Sequence, residues 1–161
     1  MIDVAIRIEA AGWRRRLPEA TRLLRRAATA ALTGASAAPP LELAIVLSDD
    51  RHMRALNRDW RGKDAPTNVL AFPANGEAPG GPRLLGDVVL ALETCAREAK
   101  AQGKTLAAHA THLVVHGVLH LVGHDHERDA AATRMEAIER RVLAGLGLAD
   151  PYAPRRRRSA A

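Results

Sequence analysis

The string His116-Gly-Val-Leu-His120-Leu-Val-Gly-His124-Asp-His126 constrains the fold more than any other stretch of this chain. At about 100° per residue, side chains four apart differ by about 40° around a helix, so His116 and His120 project from one face, one turn apart. A continuous helix would swing residue 126 away from that pair. Gly123 can adopt the left-handed conformation that ends a helix, and the turn it makes can return His126 to the same point. The expected local structure is a helix, a glycine reversal and three imidazoles around one ion.

Three neutral imidazoles and a water form the open tetrahedral site of a hydrolytic zinc centre, whereas structural zinc sites are closed by a fourth protein ligand, often cysteine. Cys95 is the chain's one cysteine, so a thiolate-rich site is excluded. The candidate ligands of a single zinc ion are His116, His120 and His126. His124 is the rival ligand, and Asp125 either orients an imidazole or shapes the turn. Upstream, His112 reads as a core residue or one that supports the ligands, His109 as an exposed or packing residue, and His52 as solvated.

This spacing coincides with the metzincin protease pattern H-E-x-x-H-x-x-G-x-x-H. Gly117, however, stands where those proteases carry the glutamate that moves the proton in amide hydrolysis. Phosphodiester cleavage depends more on neutralising charge at the phosphoryl oxygens, which a metal and a guanidinium can do.

The remaining sequence gives the frame. At 161 residues, 47% of them hydrophobic and 26% charged, the chain fits one globular domain, placed at residues 1–150, with a basic tail at 151–161 that holds Arg155 to Arg158 and is expected to be disordered. Hydrophobic periodicity predicts strands at 2–8, 41–47, 69–72 and 84–92, and helices at 18–34, 48–60, 94–102, 106–122 and 129–146. A Pro/Gly-rich loop, expected to be mobile, separates the third and fourth strands. The fold class is α+β, a small mixed sheet packed with helices, with the zinc-site helix in the second half. Aromatic residues make up 2% of the chain, which disfavours modules that bind RNA on a platform of stacked rings. A net charge of +6 favours polyanionic partners, although four of those positive charges lie in the tail. A lone cysteine, no leader-like start and no apolar run of about 18 residues lead to the expectation of a cytoplasmic protein without a membrane partner.

Together with WRGKDAPTNVLAFP at residues 60–73 and LLGDVVL at 84–90, the histidine string closely resembles the YbeY family of bacterial endoribonucleases, also called rRNA maturation factors. The resemblance runs through residues 41–143. It implies an α+β metalloprotein whose zinc is held by His116, His120 and His126, with Arg61 at the position of the family's arginine, near the metal in the substrate cleft and needed for activity. It further implies a single-strand-directed endoribonuclease of small-subunit rRNA 3′-end maturation and ribosome quality control, with rRNA and the small ribosomal subunit as partners. Two positions depart from the commonest family form: His124, where tyrosine is usual, and Ala71, where serine is frequent. Arg61 suits bidentate grip of a phosphate, and Lys63 stays open. Asp64 and Asp87 are the nearest motif carboxylates, yet Asp64 reads as a turn residue and Asp87, after Gly86, as one that bonds local backbone, rather than as acid-base groups. Either a metal-activated water or the RNA 2′-hydroxyl can be the nucleophile. The competing readings are a zinc peptidase and a non-catalytic ribosome assembly factor with a structural metal.

Overall fold

Strict alternation in the first segment makes β1 (Ile2–Ile8), with Val4 buried and Asp3, Ala5 and Arg7 outside. The computed structural model describes residues 1–74 and 80–152. Part of the Pro/Gly-rich loop and residues 153–161, which carry the four tail arginines, lie outside the described residues, and so do the expectations of mobility and disorder made for them.

After β1 come α1 (Gly12–Arg16), α2 (Ala20–Gly34), β2 (Leu41–Ser48), α3 (Asp50–Arg61), β3 (Val69–Pro73), β4 (Arg83–Ala91), α4 (Leu92–Ala101), α5 (Leu106–Leu121) and α6 (Asp129–Gly145). The four strands form one mixed sheet in the order β1-β2-β4-β3. β1, β2 and β4 are parallel, while β3 pairs antiparallel to β4 and forms an edge. This is the α+β arrangement expected from the sequence. The short α1 was not: five residues with three consecutive arginines carry little helical pattern. Its reason is Trp13, fully buried, whose indole Nε1 donates to the Ser48 carbonyl at 2.8 Å.

Period-two alternation divides the strand residues between two faces. Leu43, Ile45, Leu47, Val88 and Leu90 join the main core with Leu24 and Ala28 of α2 and Val114 and Val118 of α5. Val46, Val89 and Leu70 turn the other way, into a smaller cluster with Met53 of α3. α5 is therefore the central helix, touching α2, α4, α6, β3 and β4. Its apolar body is what fixes the histidines against the sheet.

The end of α3 is equally well defined. Asp49 caps its start by accepting from the His52 amide at 2.8 Å. Gly62 closes it at φ +70°, with its amide bonded to the Arg58 carbonyl and that of Lys63 to Asn57. Asn57 Nδ2 then donates to the Ala65 carbonyl at 2.8 Å, which ties the following turn to the helix. Arg61, the last helical residue, projects from an anchored end.

Candidate metal centre

The glycine reversal occurs as its chemistry requires. α5 stops at Leu121, Gly123 takes φ +96°, and the His124 amide bonds back to the Leu119 carbonyl at 3.0 Å. The chain then returns His126 to the helix face. Its ring stacks on His116 at 4.5 Å between centroids, and His120 stands edge-on to both. Nitrogen atoms of His116, His120 and His126 lie within 4.8 Å of one another, and the Nε2 atoms of His116 and His120 are 3.2 Å apart.

Glu139 of α6, with no solvent exposure, organises the far side of this cluster. Its Oε1 lies 2.8 Å from His116 Nδ1, and its Oε2 lies 2.8 Å from His112 Nε2 and 2.6 Å from the Tyr152 hydroxyl. Burial alone would raise the carboxyl pKa, but the hydrogen bonds from His112, His116 and Tyr152 outweigh it and hold the group well below the usual range. An ionised Glu139 can only accept, so His116 carries its proton on Nδ1 and presents the Nε2 lone pair to the cluster. Burial, with Glu139 beside it, raises the Tyr152 phenol, which stays a donor. For His120, burial and then the neighbouring His116 and His126 lower the pKa, so that ring is held neutral. Neutral imidazoles with a fixed tautomer are the form a cation requires, so the donor set fits a metal ion. His112, His116 and Glu139 also lie close enough to hold an ion. Both Glu139 oxygens, however, are already committed to donors.

The other sequence candidates separate cleanly. His124 is outside both groups of converging nitrogen and oxygen atoms among the described residues. Asp125 shapes the turn, accepting from the Glu127 amide at 3.1 Å. His112 supports His116 through their shared carboxylate. His109 is buried, with Nε2 2.9 Å from Glu98. Partly exposed, His52 meets Ser48 Oγ at 2.7 Å through Nδ1. Asp64 is spent on a two-point pair with Arg54 at 2.8 and 3.0 Å. Asp87 faces a different depression, beside Asp3 and Glu42, and lies 3.9 Å from Arg7. Tyr152, placed in the tail by the sequence reading, is instead bonded to the domain through Glu139. Beyond it the structure describes no residue.

A groove of about 620 Å³ runs along the edge strand β3, between the end of α3 and the histidine face of α5. Arg61 lines it together with His116 and His120, whereas Lys63 does not. Among the described residues Arg61 has no hydrogen-bond or ion-pair partner, while Arg54 and Arg58 before it are paired with Asp64 and Asp59. Trp60 stands at the same groove, 72% exposed and edge-on to Phe72 at 6.1 Å.

Gly117 forms part of the groove wall. A Cβ there would lie 2.8 Å from Val88 Cγ1 and 3.5 Å from Val69 Cγ2, so the helix approaches the sheet too closely for a glutamate at the protease position. Gly117→Ala is accordingly expected to destabilise the protein by about 1–3 kcal/mol, the usual range for overpacking a filled core. Urea unfolding checks this, and Val88→Ala in the same chain should restore part of the loss. Unchanged stability would show that the helix can move off the sheet.

The profile of the family described as endoribonuclease YbeY matches residues 7–147. The chain belongs to the YbeY family. It is 53% identical over 158 residues to the endoribonuclease YbeY of Paramagnetospirillum magneticum, covering 94% of this chain and 96% of that one. Against the endoribonuclease YbeY of Azorhizobium caulinodans the identity is 51% over 156 residues, covering 94% and 97%. The solution structure of TM1509 from Thermotoga maritima shares the fold, with a TM-score of 0.55 at 20% identity over 94% of this chain and 99% of that one. The histidine string and the Arg61 segment both fall inside the stretch matched to the YbeY family.

Proposed function

We propose that this chain is a zinc-dependent, single-strand-directed endoribonuclease that acts in small-subunit rRNA 3′-end maturation and ribosome quality control in the cytoplasm. Its partners in this reading are rRNA and the small ribosomal subunit. Family membership supports the reaction class. The observation that carries the assignment is that Arg61 and two of the three converging histidines line one groove. No described helix is long and apolar enough to cross a membrane.

His116, His120 and His126 would hold the ion, and Glu139 orients His116 toward it. When bound, zinc supplies a Lewis acid that withdraws charge from a phosphoryl oxygen and lowers the pKa of a water. Arg61 contributes a fixed positive charge and a two-pronged donor for the phosphate oxygens as negative charge develops. Gly117 leaves no carboxylate at the position that peptide hydrolysis needs, which argues against the peptidase reading.

Trp60 offers a ring face to one unpaired base. Removing such a stacking contact costs about 1–3 kcal/mol of binding, so Trp60→Ala is expected to weaken single-stranded RNA by that amount and to leave double-stranded RNA little changed. Trp13 is fully buried, so quenching of indole fluorescence by RNA reads Trp60 directly. Equal affinities for variant and wild type would remove the stacking role.

The deciding assay incubates single-stranded rRNA fragments with protein freed of contaminating nucleases, with and without chelator. Cleavage should stop on chelation and return with zinc, and a peptide library should stay intact. A 2′-deoxy nucleotide at the scissile position separates the two nucleophiles: persistent cleavage excludes the RNA hydroxyl. Normal ribosome maturation by a chain that cuts no RNA would favour the assembly-factor reading.

A further inference from the structure

A second groove, of about 910 Å³, lies between α2 and α6. It shares no lining residue with the histidine groove. α2 and α6 both pack against α5, the helix that carries the histidines. Helical spacing puts Arg22, Arg25 and Arg26 along one wall, and Arg141 comes from the other. The groove's one carboxylate is Glu19.

Among the described residues none of these four guanidinium groups has an ion-pair partner, nor do those of Arg14, Arg15 and Arg16 just before α2. Elsewhere Arg54, Arg58, Arg97 and Arg140 are each matched to an aspartate. Two of the four groove arginines are held in place by backbone: Arg25 Nε donates to the Val4 carbonyl at 3.0 Å and Arg141 to the Gly34 carbonyl at 3.1 Å. Both keep further N–H groups free for a ligand. Arg22 and Arg26 make no side-chain hydrogen bond among the described residues. Unpaired charge concentrated on two facing walls, with part of it fixed by the fold, is the footprint of a polyanion site.

We propose that the α2–α6 groove is a second RNA-binding surface, which takes the phosphate backbone of the substrate outside the segment held at the histidines. The proposal rests on RNA being the substrate. Guanidinium forks suit phosphate oxygens, and contacts of this kind position a nucleic acid without reading its sequence. A lipid surface would call for protruding apolar anchors. Among the described residues the exposed large apolar side chains are Met1, Trp60 and Leu84, and none of them lines this groove. Flanking RNA anchored there would hold the substrate while its single-stranded segment lies at the histidines.

The test measures binding of the full chain to an RNA hairpin with a single-stranded 3′ extension across a salt series, with chelator present so that the RNA stays intact. Each lost phosphate contact removes about one unit from the slope of log K against log salt, so Arg22→Gln/Arg26→Gln should be shallower than wild type by about 2. Arg22→Lys/Arg26→Lys should keep the slope. A short single-stranded oligonucleotide that spans only the histidine groove should bind both proteins alike. A wild-type slope in the glutamine variant overturns the proposal. Weakened binding of the short oligonucleotide overturns it equally, and so does lost binding of polyglutamate with none lost for RNA. Because binding is read without cleavage, the result stands apart from the catalytic reading, whose own failure would show as wild-type protein that never cuts.

Discussion

Arg61→Ala is expected to slow RNA cleavage by about 10²–10³-fold, the usual effect of removing one preorganised donor from developing charge. Thermal stability and metal content should stay at wild-type values. The separation follows from the geometry. Arg61 is exposed at the end of α3 and has no hydrogen-bond or ion-pair partner among the described residues, so its loss strands no buried group there. Its position is nevertheless fixed, because Gly62 at φ +70° and the Asn57–Ala65 bond anchor the backbone on which it sits. Arg61→Lys keeps the charge without the planar fork and should fall between alanine and wild type. Single-turnover cleavage of a single-stranded RNA, with melting curves on the same preparations, provides the comparison. An alanine variant as fast as wild type would make Arg61 a solvated surface charge with no part in cleavage.

Much of this site was legible because it depends on local geometry. The i, i+4 pair and the glycine that follows it are properties of a dozen consecutive residues, and they placed His116, His120 and His126 together without any knowledge of the sheet. The strands were legible for the same reason, since alternation is also local. Long-range packing was not. Glu139 reaches His116 only because α6 crosses α5, a relation that spacing along the chain does not encode. One signal was nonetheless present: Met135, Glu139 and Val142 share a helix stripe, so a charge sat where the apolar periodicity called for a core residue. Tyr152 follows Pro151 and precedes a run of arginines, a composition that reads as tail, whereas its contacts to Glu139, His112 and Arg140 are long-range and leave no local pattern. The exposure of Trp60 and the unpaired state of the α2 arginines depend on where other side chains end, which no pattern in the sequence fixes.

Glu139 carries the other large expected effect, and two substitutions divide it. Glu139→Ala strands three half-buried donors, on His112, His116 and Tyr152, and breaking a buried charge network by removing one partner costs about 3–5 kcal/mol. Urea unfolding of metal-free protein should register that loss. Glu139→Gln keeps the volume and one acceptor oxygen, so much more of the fold survives. Its amide nitrogen cannot accept, however, and must face one of the three donors, which frees a ring to reorient. The neutral side chain also no longer holds the His116 proton on Nδ1, so the Nε2 lone pair is not permanently aimed at the cluster. Zinc affinity, measured by competition with a chromophoric chelator, should then fall by about 10–100-fold, as for other carboxylates that support a metal-binding histidine. Tyr152→Phe removes one donor and leaves the carboxylate on both rings, so it should bind zinc nearly as wild type does. Wild-type affinity in Glu139→Gln would mean that the three imidazoles converge through the α5 backbone and the Gly123 turn alone, with Glu139 serving only to fill the space beneath α6.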